Sequence, residues 1–236
     1  MTIAVNLAQL RERIARAAAR AGRAPETVNL MAVSKTIEPE RIRQAYAAGV
    51  RLFGENRVQE MSEKGPALAG LSDARWHLIG HLQTNKARKA AELFHGIDSV
   101  DSLRLAEMLD HAAGKMNRIL PVLIEIKTSD EESKSGVAAG SQAFEDLLQG
   151  LPQLAHLEVR GLMTVPPFIE DPEGARPYFR RLRELRDEIA VRNLPRVRME
   201  TLSMGMSHDF EVAVEEGSTC VRVGTALFGP RSQQSP

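Results

Sequence analysis

The sequence is nearly free of cysteine: Cys220 is the only one in 236 residues. An internal disulfide is therefore excluded, and a reducing compartment fits. Neither sign of charge is in excess, since Lys+Arg and Asp+Glu both number 31. Without a basic field, neither nucleic acid nor an anionic membrane is an expected partner. No stretch approaches the roughly 20 apolar residues of a membrane-spanning helix. A cleavable signal is also missing from the opening segment "MTIAVNLAQLRERIARAAARAGR", where Arg11, Arg13 and Arg16 recur at helical spacing. Val5, Leu7, Leu10 and Ile14 in that segment predict an amphipathic helix that docks on the rest of the molecule. These absences together lead us to expect a cytoplasmic protein.

Several chemical signatures are missing too. There is no G-x-G-x-x-G dinucleotide loop, no Walker motif and no G-x-S-x-G elbow. The histidines (His77, His81, His95, His111, His156, His208) show no metal-ligand spacing, and Cys220 has no companion, so no metal site is expected. His77, inside "WHLIGH", reads as a satisfied core histidine.

What the chain does have is regular alternation. Eight short apolar runs stand at 28–34, 51–54, 76–80, 96–100, 119–127, 157–165, 199–204 and 219–224. Helical patterns follow them at about 38–48, 55–69, 83–94, 102–114, 140–150, 174–192, 207–216 and 225–228. Repeated βα units imply a parallel sheet with right-handed crossovers. Eight of them in this length predict an α/β fold, a single (β/α)8 barrel of the TIM type with an additional N-terminal helix. An open doubly wound sheet is the alternative, disfavoured by the missing dinucleotide loop. One domain is expected over 1–229, with a flexible tail at 230–236, and a long loop at 165–177.

In such a barrel the functional groups gather at the C-terminal ends of the strands. There stand Lys35, Glu55, Asn56, His81, Ser129 to Ser135, Thr164, Ser203 to Asp209, Arg222 and Thr225. The apolar run "LMAVSK" ends on Lys35, which shares a strand face with Met31 and Val33. Lys35 is either a solvated strand end or an amine whose pKa burial lowers, leaving it free to attack a carbonyl. In "CVRVGTALFG", Arg222 lies between two valines of a strand that should be buried. A buried arginine needs partners because its charge cannot be removed. Those are either a ligand or an inward carboxylate such as Glu125 or Glu200. In "LSMGMSHDFEVAVEEG", Ser207 reads as a helix N-cap, and Gly205 as a place where the chain could approach an anion. Asn56 is either a ligand contact or a cap. Glu125 and Lys127 share a face of strand five and are placed to pair inside the barrel.

Taken together these stretches resemble the pyridoxal-phosphate homeostasis protein family, related to the alanine racemase N-terminal barrel. The resemblance rests on "AVSKT" (32–36), "FGENRVQE" (53–60), "WHLIGHLQTNK" (76–86), "SVDS" (99–102), "EESKSG" (131–136), "GLMTVPP" (161–167) and "LSMGMSHDFEVAVEEGSTCVRVGTALFG" (202–229). It implies a barrel that holds pyridoxal 5'-phosphate as a Schiff base on Lys35. It further implies that Arg222 faces the ring nitrogen, that Ser203, Met204, Gly224 and Thr225 bind the phosphate, and that Asn56 lies close to the cofactor. An arginine beside that nitrogen makes the ring a weak electron sink. Alanine racemase adds a β-rich domain that supplies a tyrosine base; here the tyrosines are Tyr46 and Tyr178, neither at a strand end. The expectation is therefore a cofactor carrier without a catalytic residue, monomeric, with apo pyridoxal-phosphate enzymes as recipients. A small single-domain racemase is the alternative. Lys134, in "TSDEESKSG", is either a transient acceptor of the cofactor or a solvated loop lysine.

Overall fold

The structure is a computed structural model that describes residues 2–129 and 135–230. Eight parallel strands close into a barrel: β1 (Asn29–Val33), β2 (Leu52–Glu55), β3 (Arg75–Leu78), β4 (Gly96–Val100), β5 (Leu120–Lys127), β7 (Leu157–Met163), β8 (Val197–Met206) and β9 (Cys220–Val223). Strands pair with their neighbours in chain order, and β9 returns to β1 with Met31 opposite Arg222. A two-residue strand, β6 (Val137–Ala138), adds to the end of β5 beside Ile126 and Lys127. The alternation read from the sequence thus gives the expected (β/α)8 barrel.

Outside the barrel lie α2 (Pro39–Ala47), α3 (Val58–Leu68), α4 (Ala87–Leu93), α5 (Leu103–Lys115), α6 (Gln142–Gly150), α7 (Arg176–Ala190), α8 (Phe210–Glu215) and α9 (Thr225–Phe228). Short polar caps start several of the helices: Ser102 Oγ accepts from Leu105 N, and Ser141 Oγ from Phe144 N. The large side chains fill the layer between strands and helices, where Phe53, Phe94, Phe144, Phe179, Phe210 and Phe228 are fully buried. Period two in the strands separates two environments. Val122, Ile124 and Ile126 belong to this outer core, as do Val221 and Val223. Leu123, Glu125, Cys220 and Arg222 lie on the opposite face, toward the barrel axis.

The N-terminal helix α1 (Ile3–Arg20) docks as expected, burying Ile3, Leu7, Leu10, Ile14, Ala17 and Ala18. Val5 is the exception and stays exposed, because it lies on the far side of the helix from Leu7 and Leu10. Arg13 makes a bidentate pair with Glu211 of α8, and Asn6 Nδ2 donates to Leu227 O of α9. Among the described residues, no helix is long and apolar enough to cross a membrane.

Several helices start later than their sequence patterns suggest, among them α3, α4 and α8. Glu55 is the last residue of β2, opposite Leu78, so α3 starts at Val58. The cap of α8 is Asp209, and Ser207 does not serve as one. Asp209 Oδ1 accepts from Met206 N at 2.6 Å and closes the turn before the helix. The tail residues 231–236 and Lys134 lie outside the described residues.

Candidate functional site

Two cavities occupy opposite ends of the barrel. The one at the C-terminal mouth has a volume of about 320 Å³ and is lined by Lys35, Asn56, Ser207, His208, Arg222, Gly224 and Thr225, with Val33, Ile79, Val165 and Met206 as apolar walls. The other, at the N-terminal mouth, is larger at about 420 Å³ and is lined by His77, Asp98, Cys220, Arg75, Arg160 and Glu200 among others. Size alone would favour the second cavity, so the decision falls to the state of the charged groups.

Arg222 is 3% exposed and is held by neutral groups. Its Nη1 donates to Ser203 Oγ and its Nη2 to Thr164 O, both at 2.7 Å. Among the described residues no ion pair joins it to Glu125 or Glu200, the carboxylates proposed as its partners. Glu200 instead lies at the other end of the barrel, beside Arg160 and Arg198. Burial presses the Arg222 guanidinium below its ordinary value, against the opposing charges of Cys220, Asp98, Glu125 and Asp209. Arginine nonetheless remains a cation in proteins. A fixed positive charge therefore borders the upper cavity with no carboxylate hydrogen-bonded to it among the described residues.

Glu125 is one of the opposing charges. It is 5% exposed, and its Oε2 has no hydrogen-bond partner. Burial, reinforced by Asp101 and only partly offset by Arg222, pushes this carboxyl up to about 7. The expected pair with Lys127 is not found among the described residues. Lys127 borders a separate groove with Arg181 and Leu185, at the rim where β5 meets α7.

Gly224 and the start of α9 form the third element. Ser207 Oγ accepts from both Gly224 N and Ala226 N, each at a long 3.3 Å. These two N–H groups are held weakly by a hydroxyl and stand ready for a better acceptor. A Cβ at Gly224 would meet only Val33, at 3.6–3.7 Å, so packing does not demand glycine there. A bare backbone at that point suits close approach from the cavity. Gly205 has a different purpose from the one expected. Its φ is +91°, and a Cβ there would come within 2.5 Å of Ala213, so it serves the turn and the seating of α8.

The structure thus brings Lys35, Asn56, Arg222, Gly224 and Thr225 to one cavity. Asn56 does not cap α3. Ser203 and Met204 are not on the cavity wall. Ser203 sits behind Arg222 and holds it, while Met204 is fully buried and its carbonyl accepts from Ser218 Oγ at 2.8 Å. Ser207 and His208 belong to the stretch the sequence placed at this mouth, but Ser207 as a bridge to α9 and His208 as part of the cavity wall were not foreseen. His208 Nε2 lies 3.1 Å from Ile169 O and 2.9 Å from Glu170 O. Its place in "SMGMSHD", at a strand end, was the available signal.

Pyridoxal phosphate would need an amine for its aldehyde, N–H donors for its phosphate and a group to meet its ring nitrogen. The chemistry of this donor set fits all three needs.

Comparison with known proteins agrees. The sequence profile of the family described as "Alanine racemase, N-terminal domain" matches residues 5–232. The pyridoxal phosphate homeostasis protein of Aquifex aeolicus (strain VF5) is 46% identical over 231 residues, covering 98% of this chain and 99% of that one. Its namesake in Escherichia coli (strain K12) is 42% identical over 231 residues, covering 97% of each. This chain belongs to the pyridoxal phosphate homeostasis protein family. PipY of Synechococcus elongatus PCC7942, solved with pyridoxal phosphate bound, superposes with a TM-score of 0.85 at 42% identity. That match covers 97% of this chain and 100% of PipY. Alanine racemase from Clostridium difficile 630 shares the barrel at a TM-score of 0.74 and 14% identity, with 99% of this chain against 58% of that one. At that identity the likeness shows the fold alone.

Proposed function

We propose that this chain binds pyridoxal 5'-phosphate at the C-terminal mouth of its barrel and takes part in the intracellular homeostasis of that cofactor. The observation that carries the reading is that Lys35 shares its cavity with Arg222, whose charge, among the described residues, is held by a hydroxyl and a carbonyl. Lys35 Nζ joins the cofactor's aldehyde carbon as a Schiff base with loss of one water. Arg222 meets the ring nitrogen as a cation that does not give up its proton. Gly224 and Thr225, with the Ser207 hydroxyl, receive the phosphate, and Asn56 contacts the cofactor from the β2 side. Ser203 and Met204 serve from behind, Ser203 by holding Arg222. Bound there, the cofactor offers the electron sink of its ring, weakened by the arginine.

The same groups support storage over turnover. A racemase needs an acid or base on each face of the ring. His208, which lines the cavity, directs Nε2 at the carbonyls of Ile169 and Glu170, so that nitrogen is a donor. The Tyr46 hydroxyl donates to Asp73, just ahead of β3 and so at the opposite, N-terminal end of the barrel. In this reading the protein is a cytoplasmic monomer that hands its cofactor to apo-enzymes.

Borohydride reduction of the loaded protein, followed by peptide mapping, tests the assignment. The reduced cofactor is expected on Lys35 and absent from Lys35→Ala; a label elsewhere overturns it. No racemisation of alanine above the buffer rate is expected from the loaded protein. Steady turnover lost in Lys35→Ala would replace the carrier with a racemase.

A further inference from the structure

We infer that Lys64, with Glu60 and Glu55, forms a clasp that fixes the backbone on both sides of Lys35 and so positions its amine. The inference rests on the assignment of Lys35 to the cofactor. Lys35 follows the end of β1, in a turn closed by Ile37 N donating to Ser34 O at 3.0 Å. The residue after it, Thr36, has φ +61°. Glycine or asparagine ordinarily supplies that left-handed value, and a β-branched residue resists it. Something outside the turn must hold it there.

Lys64 and Glu60, both on α3, supply the hold. Lys64 Nζ donates to Ser34 O at 2.8 Å, to Glu55 Oε1 at 3.3 Å and to Glu60 Oε1 at 2.5 Å. Glu60 Oε1 in turn accepts from Thr36 N at 2.5 Å, and Ser34 Oγ donates to Glu55 Oε1 at 2.7 Å. The residue before Lys35 is thereby gripped at its carbonyl and its hydroxyl, and the residue after it at its N–H. The Lys64 and Glu60 side chains are 12% and 19% exposed, and that of Glu55 is fully buried. Such shielding from water strengthens each bond. A buried ion pair as such adds little to stability. Placed around one turn, this one locks a conformation the turn would not keep by itself. Lys64 is not among the residues that line the cavity, so it is a positioning residue.

The test uses the full chain with Lys64→Met, Lys64→Arg and Glu60→Gln. Two quantities are read: amide hydrogen exchange across Thr36 and Ile37 in the cofactor-free protein, and the rate at which pyridoxal phosphate develops its visible absorbance. In Lys64→Met and Glu60→Gln, exchange at those amides should rise about tenfold and cofactor association slow about tenfold. Borohydride should still label Lys35, and Lys64→Arg should recover most of the rate. Local exchange and association both within about twofold of the parent would overturn the clasp. So would exchange that rises equally throughout the barrel, which would mark a merely structural role. Glu60→Gln keeps the side-chain shape at a partly open position, so it supplies a folded variant if Lys64→Met does not. An unmutated protein with no label on Lys35 would sink the cofactor assignment itself, while the exchange measurement would still judge the clasp.

Discussion

At the N-terminal mouth of the barrel, charges meet charges. Asp98 lies 2.9 Å from His77 Nδ1, and Arg160 stands between Glu158 at 2.6 Å and Glu200 at 3.3 Å. At the C-terminal mouth, Arg222 meets a hydroxyl and a carbonyl, and Glu125 keeps one oxygen without a partner. Most charges of the lower end answer one another, Arg75 excepted, which lines the larger cavity there without an ion pair among the described residues. The upper end carries unspent charge of both signs. Burial pushes His77 down, but the charge and hydrogen bond of Asp98 outweigh it and leave His77 above its ordinary value. Glu125 has no such hydrogen bond, and its proton affinity rises through burial. The contrast teaches that a site is marked by charges the protein has left for others to answer.

The comparison breaks most visibly through Glu125. Burial makes its carboxyl hold a proton more tightly in the folded protein, at about 7 against an ordinary 4.5. Stability should therefore fall as pH rises from about 4.5 to about 7, the folded state giving up its proton last. Glu125→Gln should remove that slope and stabilise the protein above pH 7 by about 3 kcal/mol, as read in urea midpoints. A slope that persists in the variant would show that Glu125 does not set it. Next is Arg222→Met, which should weaken pyridoxal phosphate binding about a hundredfold by the loss of charge-assisted hydrogen bonds. Titration of cofactor absorbance measures it.

At the other end the effects should be confined to stability. Asp98→Asn should cost about 2 kcal/mol in urea midpoint, the scale of a hydrogen bond to a charged group. Cofactor affinity should stay within about twofold in that variant. Arg160→Gln should change stability by less than about 1 kcal/mol, because its side chain is 40% exposed and solvent screens its pairs. A large loss of cofactor binding in either of these would undo the division between the two ends.

The frame of the molecule was legible because period-two and period-3.6 patterns are local. Met31, Val33 and Lys35 could be placed on one face, and Arg222 opposite Val221 and Val223, before any coordinates. Illegible were the partners chosen across space. Ser207 follows a strand and precedes a helix, so it reads as a cap, yet its hydroxyl answers N–H groups seventeen and nineteen residues away. Glu125 and Glu200 were read as inward carboxylates that could hold Arg222, but that Ser203 holds it instead depended on a register between β8 and β9 that contains a shift. The left-handed turn at Thr36 gave no signal, since threonine is not a residue that announces it.

The seam between β1 and β9 has a consequence for the order of events during synthesis. Lys35 follows the first strand and Arg222 lies in the last, and Met31 faces Arg222 across the join. A growing chain displays Lys35 long before the ribosome has made Arg222, Gly224 or Thr225. Closing so long a loop carries an entropic cost that only the completed ring of strands recovers. On the proposed reading, retention of the cofactor is therefore a report on the finished fold, because the groups that would hold it meet only when the last strand closes on the first.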